Sequence, residues 1–122
     1  MGKLIYVVED DEDIRFIVEY VLRESDYEVE VFGTLTAYEA QPKDKTPDLV
    51  VIDVMLPDGN GLDLCKSIRA NPALQHTNVV IMSAHASPAY VLEQACADDF
   101  ISKPFDLDYF LSRIKKVLHD AV

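Results

Sequence analysis

At 122 residues, about half of them hydrophobic and a quarter charged, the chain has the size and balance of one domain that buries its own core without metal or disulfide support. Its 22 acidic against 11 basic residues exclude phosphate-backbone binding by this chain, which needs Lys and Arg. No apolar run reaches the length of a membrane span, the amino terminus lacks a signal-peptide core, and Cys65 and Cys96 form neither a spaced metal motif nor a disulfide framework. The expectation is a cytoplasmic protein with both cysteines reduced and serving as small apolar residues.

Leu4 to Val8 reads as a buried strand that ends in five carboxylates, Glu9 to Asp13. Ile14, Ile17, Val18, Val21 and Leu22 then set a helical period. Asp11 can cap that helix, and Glu12 and Asp13 suit its positive end, so Glu9 and Asp10 are left at the strand tip with no helical role. Glu28 to Phe32 alternates as a strand nearer a sheet edge does. Thr36 to about Gln41 makes a short helix, stopped by Pro42 and followed by a polar loop to Pro47. Leu49 to Ile52 is a continuous apolar run, the signature of a strand buried on both faces; it stops at Asp53, and Pro57, Gly59, Asn60 and Gly61 enforce a turn.

Gly61 to Ala70 reads as a helix with Leu62, Cys65 and Ile68 inward, ended by Asn71-Pro72. Asn78 to Met82 is another apolar strand and ends at Ser83-Ala84-His85. Ser87-Pro88 starts a helix that runs to about Ala95. Asp99 to Ser102 is the fifth strand, with Lys103-Pro104 as the turn after it. The last helix puts Leu107, Phe110, Leu111, Ile114, Val117 and Leu118 on one face.

Strict β–α alternation with right-handed crossovers predicts an α/β fold over residues 1–122, a (βα)5 doubly wound parallel sheet of five strands in the flavodoxin-like order 2-1-3-4-5. Strands one and three are then neighbours, and Glu9, Asp10 and Asp53 share a crevice. Two like charges about 4 Å apart cost about 4 kcal/mol at an effective dielectric of about 20, so protons or a cation must hold them. Hard carboxylate oxygens with room for water and phosphate suit Mg2+. With the metal in place, Asp53 can attack a phosphoryl group as a nucleophile, Lys103 supplies a point charge, and the Ser83 hydroxyl and Ala84 amide can donate to phosphoryl oxygens. Taken singly, each of these is an ordinary turn or surface residue; their arrival at successive strand ends is the signal.

On these residues the chain resembles the receiver domains of response regulators in two-component signalling, along nearly its whole length. The resemblance rests on Glu9-Asp10, the stretch from Asp53 through Pro57 to Gly61, Met82-Ser83-Ala84, Ala97-Asp98-Asp99-Phe100 and Lys103-Pro104-Phe105. It implies that Asp53 is the phosphoryl acceptor and that Glu9, Asp10 and Asp53 hold Mg2+ together with the Met55 backbone carbonyl. It further implies that Ser83 and Lys103 contact the phosphoryl group, that Phe100 is an aromatic switch swinging inward when Ser83 moves, and that the Lys103–Pro104 bond is cis. The implied donor is a sensor histidine kinase or histidine phosphotransfer protein. The implied recipients are an output domain, an effector protein or a second copy of the chain, with no nucleic acid or membrane contacted by this domain. Catalysis would be confined to self-phosphorylation and self-dephosphorylation. A receiver-like protein-binding module that works without phosphate is the alternative.

The chain also departs from the receiver pattern. Cys96 stands where that pattern has a Gly able to take φ > 0, and the segment from Ser83 to Cys96 is about two residues short, so the helix after Ser87 is expected to be shortened or displaced. An aspartyl phosphatase of the haloacid-dehalogenase type wants a second Asp two positions after its nucleophile, where this chain has Met55. Met55 and His85 flank the acceptor and are candidates for governing water attack on a phosphoryl group. Phe16 and Tyr20 are either a widened buried face of the first helix or, if exposed, a kinase contact.

Overall fold

The computed structural model describes residues 2–42, 44–94 and 96–120. Five parallel strands, β1 (Leu4–Val8), β2 (Glu28–Phe32), β3 (Leu49–Asp53), β4 (Asn78–Ser83) and β5 (Asp99–Ser102), lie in the order β2-β1-β3-β4-β5. This is the predicted doubly wound order. Alternation along the strands divides their side chains between two cores. Tyr6, Val8, Val50, Ile52, Val79 and Ile81 point to one face, and Ile5, Val7, Leu49, Val51, Val80 and Met82 to the other. The second face is covered by α1 (Glu12–Glu24) and α5 (Leu107–Val117) through Val18, Leu22, Phe110 and Ile114. The first is covered by α2 (Leu35–Ala40), α3 (Gly61–Ala70) and α4 (Pro88–Glu93) through Tyr38, Leu62, Leu64, Cys65, Ile68 and Val91. Because β3 is packed on both faces, every one of its residues is buried.

Local chemistry sets the helix starts. Asp11 accepts from the Ile14 amide, Thr34 from Ala37, Ser87 from Tyr90 and Asp106 from Asp108. α2 has a second anchor from outside its own segment, since Asp58 accepts from the Leu35 and Thr36 amides and the Thr36 hydroxyl. α4 ends at Glu93, earlier than the expected limit near Ala95, which lies outside the described residues. Among the described residues the non-glycine positions with positive φ are Asp26 and His119. Cys96 therefore adopts no left-handed conformation.

One expectation is overturned. Cys65 and Cys96 are not separate reduced residues; their sulfurs are bonded, with a Cα–Cα separation of 5.6 Å. The sequence gives no hint of this because 31 positions separate them, and only the packing of α3 beside the loop before β5 brings them together. The cysteines consequently carry no argument for a reducing compartment. Among the described residues no helix is long and apolar enough to cross a membrane.

Candidate functional site

The carboxyl ends of β1, β3, β4 and β5 meet at one edge of the sheet. β1 delivers Glu9 and Asp10 just past Val8, and β3 ends on Asp53 itself. The Lys103 amide donates to the Ser83 carbonyl at 3.0 Å, which fixes the chain leaving β5 beside the tip of β4. The Lys103–Pro104 bond is cis, as the resemblance implied.

The Lys103 ammonium is the hub. It donates to Asp53 Oδ2 at 2.6 Å and lies 2.5 Å from Glu9 Oε1. The contact with Glu9 is an ion pair, and the buried Oε1 has this ammonium as its close counter-charge. Its companion Oε2 accepts from the Asp11 amide at 3.0 Å. Burial pushes the Glu9 carboxyl up to about 7, against the Lys103 ammonium and the Asp11 amide, which pull it down. Burial lowers the Lys103 ammonium, but its bonds to Asp53 and Glu9 more than offset that and leave it above the ordinary lysine value.

Asp53 is nearly buried, and Oδ1 accepts from the Met55 amide at 3.3 Å. Oxygens of Glu9, Asp10 and Asp53 lie within 4.8 Å of one another, and Asp10 is exposed where the other two are not. Three carboxylates gathered this closely, two of them buried, fit a hard divalent cation of the Mg2+ kind. Ser83 is buried, and its Oγ accepts from the His85 and Ala86 amides at 3.1 and 3.0 Å. An oxygen engaged this way still has its own proton to give.

Three supporting residues were not singled out for these roles by the sequence. Gly61 opens α3 so close to Asp53 that a Cβ would stand 2.1 Å from the Asp53 carbonyl oxygen and 2.7 Å from Ile52. Its amide donates to the Val54 carbonyl at 2.7 Å. Arg15 reaches back from α1 to the Glu9 carbonyl at 2.9 Å and holds the β1 tip. Asp58 ties the loop after Asp53 to α2. Of these only Gly61 had a visible sign, as the last of the turn formers after Asp53. Phe100 is buried in the same core as Val91, Cys65 and Cys96. Met55 and His85 are exposed at the mouth of the site, and Phe16 and Tyr20 are 69% and 56% exposed on α1.

Residues 5–115 match the family described as the response regulator receiver domain. The chain belongs to that family. Among curated receiver-containing relatives, the response regulator ArlR of Staphylococcus saprophyticus is 34% identical over 122 residues, which covers 93% of this chain and 51% of ArlR. The phosphate regulon transcriptional regulatory protein PhoB of Rhizobium meliloti is 29% identical over 119 residues, with 96% and 52% covered. The chain thus spans about half the length of the curated relatives it matches. The non-phosphorylated HemR receiver domain from Leptospira biflexa superposes with a TM-score of 0.87 at 32% identity, over 99% of this chain and 98% of that one. The receiver fold and the expected sheet order are one and the same.

Proposed function

We propose that Asp53 is the acceptor of a phosphoryl group from a histidine kinase or histidine phosphotransfer protein, and that the reaction requires Mg2+. The observation that carries this reading is the Lys103 ammonium held between Asp53 and Glu9, with Asp10 alongside. Glu9, Asp10, Asp53 and the Met55 carbonyl would hold the metal, which when bound neutralises phosphoryl oxygens and the crowded carboxylates. An Asp53 carboxylate oxygen attacks phosphorus while the bond from phosphorus to the donor nitrogen breaks, and the donor imidazole leaves with that electron pair. Lys103 exchanges its bond to Asp53 for one to a phosphoryl oxygen, and the Ser83 hydroxyl donates to another. Turning Ser83 toward the phosphoryl group releases the His85 and Ala86 amides, which links the event to the loop leading into α4. Phe100, behind that loop, serves as the switch residue.

The protein turns over nothing but its own phosphoryl group, and it works in the cytoplasm through an output domain or effector protein. Support for the output comes from the relatives' length beyond the matched half. To test the acceptor, wild type and Asp53→Asn are mixed with Mg2+ and a small phosphodonor, and the mass gain is read. A metal-dependent phosphoryl adduct in wild type, absent from the variant, is expected. A folded wild type that gains no mass would move the reading to a binding module that works without phosphate.

A further inference from the structure

We propose that the Cys65–Cys96 pair is a redox-controlled tether that sets how readily the phosphoryl switch is thrown; this rests on the acceptor reading above. Cys65 lies on α3, whose first residue abuts the Asp53 backbone, and Cys96 lies on the loop that feeds β5 and Phe100. Both cysteines belong to one apolar core with Phe100 and Val91. The bond therefore joins the helix behind the acceptor to the segment behind the switch.

The segment it ties is otherwise held lightly. α4 is six residues long, with Val91 its buried side chain, while Tyr90 and Leu92 are about half exposed. Beyond it the loop is fixed by Asp98, which exchanges hydrogen bonds with Val79 through both amide and carboxylate. Short elements with few buried side chains open more readily than the sheet they cover. A covalent link across this segment removes that freedom. In the bonded form Phe100 is inside the core. Oxidation and phosphorylation then favour the same inward arrangement, and by linkage each strengthens the other.

The chemistry needs a small disulfide, such as oxidised glutathione, as oxidant. One protein thiolate attacks it and expels a glutathione thiolate, giving a mixed disulfide; the second protein thiolate attacks the protein sulfur of that bond and expels the other. Two protein thiols become one disulfide, two glutathiones are formed, and the two thiol protons go to them. A dithiol reductant reverses the exchange. Since both cysteines are buried, access waits on opening of the α4 segment, which makes the reaction report on that opening.

The test uses the wild-type chain in two forms, reduced with a dithiol or oxidised with glutathione disulfide, each freed of reagent and checked by mass for the two-hydrogen difference. Mg2+ and beryllofluoride are then titrated by calorimetry. The oxidised form is expected to bind about fivefold more tightly or better, within the usual range of coupling between two sites. The Cys65→Ala/Cys96→Ala double variant is expected to follow the reduced form. Equal affinities, tighter binding by the reduced form, or failure to form the intramolecular bond would each overturn the tether. Beryllofluoride binding by neither form would instead remove the acceptor reading, and hydrogen exchange would then decide the tether. Slower exchange of the Phe100 and Ile101 amides in the oxidised form sustains it; equal exchange overturns it.

Discussion

Lys103 Nζ lies 2.5 Å from Glu9 Oε1, an oxygen on a carboxylate with no solvent exposure. The ammonium is therefore the counter-charge of the carboxylates gathered here. Replacing it leaves the carboxylates facing one another in a poorly solvated crevice. Lys103→Met is expected to lower stability in metal-free buffer by about 1–3 kcal/mol, the usual result of stripping a buried polar group of its partner. Mg2+ should restore much of that loss, because it supplies the missing charge. Urea midpoints with and without Mg2+ check this, and a variant whose loss is the same in both buffers would show that Lys103 is not the counter-charge.

The same carboxylate sets a pH dependence. Glu9 is raised from its ordinary value of 4.5 to about 7 in the folded protein. Between those values the folded state holds a proton that the unfolded state has released, so stability falls as pH rises. The contribution is fully present below about 4.5 and is lost as pH passes through about 7. Mg2+ needs the ionised form, so its affinity should rise with pH over this window and level off above it, with protons released on binding. Metal-free unfolding of wild type and Glu9→Gln across the window isolates the effect. The variant should show the flatter profile, and matching profiles would remove Glu9 as the cause.

The placement of Gly61 against Asp53 gives a sharper mechanical prediction. No described glycine has positive φ, so Gly61 is needed for its lack of a Cβ and not for its backbone freedom. The 2.1 Å approach to the Asp53 carbonyl is to backbone, which cannot step aside without moving Asp53. Gly61→Ala should destabilise the domain by about 1–3 kcal/mol, in line with other overpacked sites. It should also weaken Mg2+–beryllofluoride binding at least tenfold. Stability loss with undiminished binding would mean that the strain is taken up by α3 rather than by Asp53.

These relationships mark what sequence could and could not convey. Val50 to Ile52 ending in Asp53, and the matching strand tips at Glu9, Ser83 and Lys103, were legible because strand periodicity and turn residues are local signals. Strand–helix alternation conveyed a doubly wound parallel sheet, for which the flavodoxin-like order is one of the common arrangements. The approach of Gly61 to the Asp53 carbonyl was not legible, because it is a distance between backbones after folding. The role of Asp58 was not legible either, because it accepts from the Leu35 and Thr36 amides across 22 or more positions of chain. Cys65 and Cys96 were read as reduced because pairing depends on how α3 lies beside the loop before β5, which no spacing rule encodes. Phe16 and Tyr20 fit either face of an amphipathic helix, and only packing decided between them.

That decision has a functional consequence. Phe16 and Tyr20 are one helical turn apart on α1 and stand out into solvent, Phe16 beside Glu12, Asp13, Arg15 and Glu19. Two neighbouring exposed rings on the surface helix that follows Glu9 and Asp10 are expected to contact the helical bundle of a partner histidine kinase. Phe16→Ala/Tyr20→Ala should slow phosphotransfer from a histidine kinase that phosphorylates the wild type by about tenfold, the loss of one modest interface anchor. Labelling by a small phosphodonor should be unchanged, since neither ring belongs to the Glu9, Asp10 and Asp53 cluster. Slowing with both donors would place the damage at the acceptor site, and slowing with neither would leave the two rings as solvent-facing residues with no part in docking.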